Sequence, residues 1–248
     1  MSYYSISSHI KEFLRDRKLI SDNKTFSKCI LLTRSRTGSN MLIDALGEHP
    51  SIIAHSEIFK GAQSIEEVNE AFSKIYGNVS YYCNTVIFKV FYYHPYDANL
   101  NSYLFEKLIS DKSYLIIHLK RRNILRMHLS RKIAEKTKSY IYSADRFSVN
   151  KSVEISIEEL TKVYNETMNH YQFVNDHFSK HGVHEVFYED LIKSRVAFDD
   201  LLNFLNMKKI DFKTQLRKQN PEELRDLISN FDYLKKRCSG SHFEAYFD

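Results

Sequence analysis

The chain has 248 residues, of which 43% are hydrophobic and 27% are charged, a balance typical of one globular domain with a sizeable core. It contains only 6 Gly and 3 Pro and no repeat or low-complexity tract, which excludes collagen-like and linker-rich proteins. It shows neither the apolar segment of a signal peptide nor a run near the ~18 apolar residues of a membrane span. We therefore expect a cytoplasmic protein without a membrane anchor.

The net charge indicates which kinds of partner are expected, and the cysteine spacing indicates whether a metal site is expected. The formal net charge is +5, which favours a polyanionic partner such as a nucleotide, a nucleic acid or a membrane surface. The Lys and Arg residues are spread along the chain, whereas dedicated nucleic-acid binders concentrate them in one stripe or tail. Three widely spaced cysteines form no zinc-ligand pattern, so we predict reduced thiols and no metal site at Cys29, Cys83 and Cys238.

Apolar periodicity predicts strands that alternate with helices within a single domain, 1–248. A short amphipathic helix at 9–20 belongs to an N-terminal helical extension, residues 1–27. The predicted strands are 28–33, 51–55, 84–92, 113–119 and 183–188. The predicted helices are 39–47, 64–76, 101–110, 124–138, a long one from 157 to near 182, one that ends near 205 and one at 221–236.

This alternation predicts an α/β fold with a mostly parallel central sheet flanked by helices. Ligands of such sheets bind beyond the carboxyl ends of the strands. Polar or basic residues follow three of the predicted strands, at Thr33-Arg34, Leu119-Lys120 and Phe187-Tyr188. We expect the functional site where these strand ends meet.

The first strand end has the layout of an anion site, since a helix is predicted directly after it. The N–H groups at a helix start and their partial positive charge attract anions, and Gly38 allows a close backbone approach. The segment supplies further donors and charges from Arg34, Ser35, Arg36, Thr37, Ser39 and Asn40. The triphosphatase pattern G-x-x-x-x-G-K-[ST] is absent, and so is an obvious magnesium ligand. An ordinary polar turn is the alternative interpretation.

The second strand end is a basic turn, Lys120-Arg121-Arg122-Asn123, and Ser130 lies eight positions after Arg122. Eight helical residues span about 12 Å, at ~1.5 Å per residue. Arg122 can fold back so that its guanidinium and the Ser130 hydroxyl meet one phosphate. A solvated basic turn beside a surface serine is the alternative.

Together these segments resemble the sulfotransferases that use 3′-phosphoadenosine 5′-phosphosulfate (PAPS), particularly the bacterial carbohydrate and natural-product branch. Residues 33–42 are similar to the family's 5′-phosphosulfate loop, and Arg122-Asn123 with Ser130 to its 3′-phosphate motif. Residues 188–191 are similar to its Y-E-D-L turn. Looser counterparts are 49–52, 55–59, 88–90, 218–220 and 229–241, so the resemblance runs from about residue 28 to the C-terminus.

The resemblance implies a three-layer P-loop-like fold and PAPS as co-substrate, with 3′-phosphoadenosine 5′-phosphate (PAP) as product and no metal. The residues that it assigns to the donor are Arg34, Ser35, Arg36, Thr37, Gly38, Ser39, Asn40, Arg122, Ser130, Tyr188, Ser239, Gly240 and Ser241. Two positions depart from the family pattern, because Arg36 replaces the usual Lys and Asn40 the usual Ser or Thr. Arg keeps the electrostatic role of Lys but cannot serve as an acid.

Four residues are the candidates for catalysis: Arg36, Glu57, Lys89 and His94. Arg36 and the loop N–H groups are expected to stabilise charge on the leaving oxygen. Glu57 is the preferred general base, with His55 and His94 as rivals. Lys89 either touches the sulfuryl oxygens or extends its stem along the sheet edge.

Two other functions stay open at this point. A small-molecule kinase would need ATP and magnesium, and a non-catalytic nucleic-acid-binding module would need exposed aromatics among its basic residues. We favour a small-molecule acceptor, a sugar or natural product with a hydroxyl, although an amine would fit as well, and no nucleic-acid or membrane partner. Its pocket is expected around Glu57, Phe59, 92–94 and the loop 138–149. The sequence does not choose between a monomer and a homodimer.

Overall fold

The computed structural model describes residues 25–77, 79–139, 150–210 and 221–247. The helix predicted at 9–20, most of the predicted extension 1–27 and most of the loop 138–149 lie outside the described residues.

A five-stranded parallel sheet forms the centre of the described chain. Its strands are β1 (Ser27–Thr33), β2 (Ile52–His55), β3 (Thr85–Phe91), β4 (Tyr114–Lys120) and β5 (Gly182–Phe187). Their order is β2-β3-β1-β4-β5, and every neighbouring pair is parallel. The five predicted strands and the α/β class are thus confirmed, and the architecture is consistent with a three-layer P-loop-like fold. All five carboxyl ends meet at one edge of the sheet.

Helices connect the strands and cover the sheet. They are α1 (Ser39–Gly47), α2 (Ile65–Tyr76), α3 (Ala98–Ser110), α4 (Ile124–Thr137), α5 (Ile157–His177), α6 (Tyr188–Lys193), α7 (Arg195–Phe204), α8 (Leu224–Leu227), α9 (Phe231–Cys238) and a 3₁₀ helix (Glu244–Phe247).

Alternate residues of β1 point into two different cores, because successive side chains of a strand face opposite sides of the sheet. Ile30 and Leu32 join the core formed with α2, α3 and α5. Cys29 and Leu31 join the core formed with α1 and α7. A third core packs α4 and α5 against α8, α9 and the 3₁₀ helix. The three cysteines are free thiols, and all are buried.

Two helix starts show how capping side chains set the boundaries. α3 begins at Ala98 rather than 101, because the Asp97 carboxylate accepts the N–H groups of the first turn and so starts the helix earlier. Ser64 caps α2, since its hydroxyl accepts the N–H of Glu67 at 3.2 Å. The Glu67 carboxylate in turn accepts the N–H of Gln63 at 2.9 Å, which holds the residue before the cap.

The prediction of one continuous helix at 221–236 is wrong, because this segment forms two short helices, α8 and α9. Between them, Ile228 makes a parallel bridge with Val153. The Asn230 side chain donates to the Ile155 carbonyl at 2.9 Å and accepts its N–H at 3.2 Å. These pairings need an extended backbone and therefore interrupt the helix.

Gly38, between β1 and α1, should tolerate no side chain. Its φ is 83°, and a Cβ there would overlap the Tyr188 ring, 2.6 Å from Cε2. We expect Gly38→Ala to lower the free energy of unfolding by more than about 2 kcal/mol, measured by urea titration. Gly61 has no atom within 4 Å of its own Cβ position. The control Gly61→Ala should stay within about 0.5 kcal/mol of the parent, and equal losses in the two variants would contradict the prediction.

Candidate functional site

The turn between β1 and α1, residues 34–40, is called here the anion loop. Its shape is fixed by buried hydroxyls. Thr33 donates to the Leu119 carbonyl of β4 at 2.7 Å, and Thr37 donates to the Arg34 carbonyl at 2.8 Å. Arg36 and Gly38 both have positive φ, 66° and 83°. The backbone is therefore held in a conformation that favours glycine and is rare for arginine, which is a common property of binding loops.

The N-terminus of α1 faces the anion loop without a capping side chain among the described residues. Its N-cap is Gly38, and its first turn carries no acidic residue. Five other helices each begin with a side-chain cap, from Ser64, Asp97, Asn123, Ser156 and Ser194, whereas the short helices α6, α8 and α9 begin without one in the described part of the chain. The first N–H groups of α1, next to the anion loop, are thus open to an external anion, which also benefits from the helix dipole.

Arg36 connects the two basic strand ends, the turn after β1 and the turn after β4, which are called the two corners here. Its Nε and Nη2 donate to the Ser130 hydroxyl of α4, at 3.0 and 2.9 Å. The sequence analysis paired Ser130 with Arg122, whereas the structure brings it to Arg36. Ser130 and Arg36 therefore act as one polar pair beside the start of α1.

Arg34 lies in the loop but is directed away from it. Its buried guanidinium donates to Thr167 at 2.9 Å and pairs with Glu166 at 3.1 Å, both on α5. In this arrangement Arg34 fastens the loop to α5. The contact predicted between its guanidinium and the donor stays a prediction.

Arg121 is a residue that the sequence analysis missed. Its Nη1 donates to the Arg36 carbonyl at 2.6 Å, and its guanidinium lies 4.7 Å from the centre of the Tyr188 ring. It thereby supports the strained part of the anion loop. The only sequence signal was its position in the run 120–122, where spacing singled out Arg122 instead.

Arg122 is held by the acidic turn after β5. Its guanidinium makes two bonds of 2.7 Å to the Asp190 carboxylate and lies 4.0 Å from the Phe187 ring. The neighbouring Glu189 accepts the backbone N–H groups of Arg122 and Asn123, at 3.0 and 3.2 Å. The Asp190 carboxylate thus occupies the Arg122 guanidinium, the group predicted to bind a 3′-phosphate.

Three candidate residues meet at Lys89. Its Nζ lies 3.0 Å from the Glu57 carboxylate and donates to the Asn40 side-chain oxygen at the start of α1. The Lys89 side chain is 0% exposed, and this burial lowers its pKa, which the charge of Glu57 opposes. A cation is therefore fixed between the anion loop and a carboxylate that is 23% exposed.

His94 packs beside this group within an aromatic cluster. Its ring lies 4.8 Å from Phe91 and 5.1 Å from Tyr96, and the residue is 1% exposed. Neither ring nitrogen has a hydrogen-bond partner in the part of the chain that is described. Burial lowers the pKa of His94 to about 4, against the opposing charge of Glu57, so the ring is neutral near pH 7. Burial also lowers the pKa of the other rival base, His55.

Four further residues are predicted to bind PAPS. One of them contacts the anion loop, and within the described chain the other three form hydrogen bonds only with residues close to them in sequence. Tyr188 is the first residue of α6, and its ring lies against Gly38. The hydrogen bonds described for the other three, Ser239, Gly240 and Ser241, stay within 236–244. The adjacent 3₁₀ helix does reach the second corner, because Asn123 donates to the Tyr246 carbonyl at 2.9 Å.

Comparison with known proteins adds no family to this geometry: no family model matches the chain, and neither does any curated protein. Within the described ranges, no helix has the length and apolar character needed to cross a bilayer. The same residues contain no group of three or more His, Cys, Asp or Glu that could hold a metal ion.

Stability should depend on pH through the buried histidines. Burial lowers the pKa of His94, His118 and His170 from 6.5 to about 4. The unfolded chain then binds more protons between these values, so the free energy of unfolding falls as pH drops from 6.5 towards 4. We expect His94→Asn to reduce this slope by about one proton, or ~1.4 kcal/mol per pH unit, in urea titrations across that range.

The exposed His177 on α5 provides the matched control, His177→Asn. In this variant, the change of the free energy of unfolding with pH should equal that of the parent protein. An unchanged slope in His94→Asn would show that the imidazole is not held neutral by burial.

Proposed function

We propose that this protein is a sulfotransferase that moves a sulfuryl group from PAPS to a hydroxyl of a small-molecule acceptor, a sugar or a natural product. One observation carries the proposal. The uncapped start of α1 follows a glycine turn and lies between two cations from different parts of the fold, Arg36 and Lys89. This arrangement suits an anionic group that gains charge during a reaction.

The two anionic groups of PAPS would each bind at one of the two corners. The 5′-phosphosulfate suits the anion loop, where Arg36 and the first N–H groups of α1 meet. The 3′-phosphate suits Arg122, which would exchange Asp190 for the ligand. Both side chains of that pair are about half exposed, at 50% and 43%. Exposed ion pairs typically contribute about 0–1 kcal/mol, and a phosphate would replace both bonds of this bidentate pair, so the exchange costs little.

Transfer joins the acceptor oxygen to sulfur while the bond from sulfur to the 5′-phosphate oxygen breaks, which leaves negative charge on that oxygen. Arg36 and the backbone N–H groups at 38–40 would stabilise this charge from fixed positions. Lys89 would contact the sulfuryl oxygens from the other side of the α1 start. Its side chain is 0% exposed and its Nζ is held by Glu57 and Asn40, so this contact would require one of these partners to move aside.

Glu57 is the better placed of the two candidate bases near Lys89. A general base must come within about 3 Å of the acceptor oxygen whose proton it takes. The Glu57 carboxylate is 23% exposed and lies beside Lys89, so an acceptor can reach it from solvent. His94 is 1% exposed and enclosed by aromatic rings. An acceptor would therefore reach it only after the turn at 93–96 had moved.

The donor assignment can be tested by thermal denaturation with three ligands: PAP, ATP with magnesium, and a single-stranded oligonucleotide. We expect PAP to raise the melting temperature without any divalent metal, because a ligand that binds only the folded state stabilises it. The other two should give smaller shifts. Stabilisation by ATP only with magnesium would support a kinase instead, and stabilisation by the oligonucleotide alone would support a nucleic-acid-binding module.

Arg36→Ala should lower turnover by about 10²–10³, because it removes one fixed group that stabilises the leaving oxygen. Turnover is followed by mass spectrometry as the gain of SO₃ on an acceptor identified from a panel. The control Arg225→Ala removes an exposed guanidinium on α8 that pairs with Asp232. It should keep the parent rate. Near-normal turnover in Arg36→Ala would remove this residue from the mechanism.

A further inference from the structure

A tyrosine hydroxyl lies at the edge of the anion loop. Tyr93 follows β3, and its hydroxyl accepts the backbone N–H of Ser35 at 3.1 Å. The sequence analysis placed Tyr93 only in the lining of an acceptor pocket. The contact with Ser35 also brings it to the loop that we propose for the donor.

Aromatic neighbours fix the direction of this hydroxyl. The Tyr93 ring lies 5.6 Å from Phe91, 5.3 Å from His94 in an edge-to-face contact, and 6.4 Å from Tyr96 in a nearly parallel one. Packed aromatic contacts of this kind restrict the ring to one orientation. The hydroxyl is therefore preorganised at the loop rather than free to turn away from it.

The Tyr93 hydroxyl still has a proton to donate. A phenol both donates and accepts, and the bond from Ser35 uses only its acceptor capacity. No acceptor for its proton is found among the described residues. Accepting a hydrogen bond also polarises a hydroxyl and strengthens it as a donor.

We propose that the Tyr93 hydroxyl is a further ligand of the anionic group held by the anion loop, donating its proton to the 5′-phosphosulfate end of the donor. This inference rests on the proposed function. It makes Tyr93 the residue through which the turn at 93–96 contacts the donor directly.

Two ligands that differ only in the 5′-anion provide the test. PAP carries both phosphates, and adenosine 3′-phosphate lacks the 5′ one. A hydrogen bond to a charged group is worth about tenfold or more in affinity. We expect Tyr93→Phe to weaken PAP binding about tenfold and to leave binding of adenosine 3′-phosphate unchanged, both measured by isothermal titration calorimetry.

Tyr96→Phe is the matched control, because it removes the hydroxyl of the exposed neighbour in the same cluster and should bind both ligands as the parent does. Binding of adenosine 3′-phosphate also reports that Tyr93→Phe is folded. If Tyr93→Phe binds PAP like the parent, or loses affinity equally for both ligands, the inference is overturned while the proposed function stands. If the parent protein binds no PAP, both are overturned.

Discussion

The close contact between Gly38 and the Tyr188 ring is the constraint on which the candidate site depends. It joins the β1–α1 corner to the turn after β5, although these segments are 150 positions apart in the chain. Arg121 extends the same contact, since it lies over the Tyr188 ring and donates to the Arg36 carbonyl. The two cationic corners therefore form one packed unit. A substitution at either corner is expected to alter the backbone conformation of the anion loop.

The cations of this unit differ in how firmly they are held. Arg34 and Lys89 have buried side chains paired with Glu166 and Glu57, and removing one partner from such a pair is costly. The Arg122–Asp190 pair is exposed and can exchange its carboxylate for another anion at low cost. The site thus combines fixed charge, which suits catalysis, with exchangeable charge, which suits binding and release of a ligand.

The strands could be predicted from the sequence because each central one is a short apolar run buried on both faces, as parallel sheets require. The break between α8 and α9 could not, because it depends on the bridge between Ile228 and Val153, 75 positions apart. Spacing along α4 singled out Ser130 as the partner of Arg122 at a phosphate. It could not show that Arg36 rather than Arg122 reaches it, because the direction of Arg122 is set by Asp190 on a distant turn.

Strand order explains why Lys89 is the residue at which the site converges. β3 lies between β2 and β1, so a side chain near its carboxyl end has one neighbour from each adjacent strand-to-helix connection. Lys89 is in register with Leu31 of β1, and the next residue back, Phe88, is in register with His55 of β2. Glu57 follows β2 and Asn40 follows β1, which places them on opposite sides of the lysine. A reordered sheet with the same strands would separate the carboxylate from the anion loop, so the candidate chemistry is a property of the topology as much as of the residues.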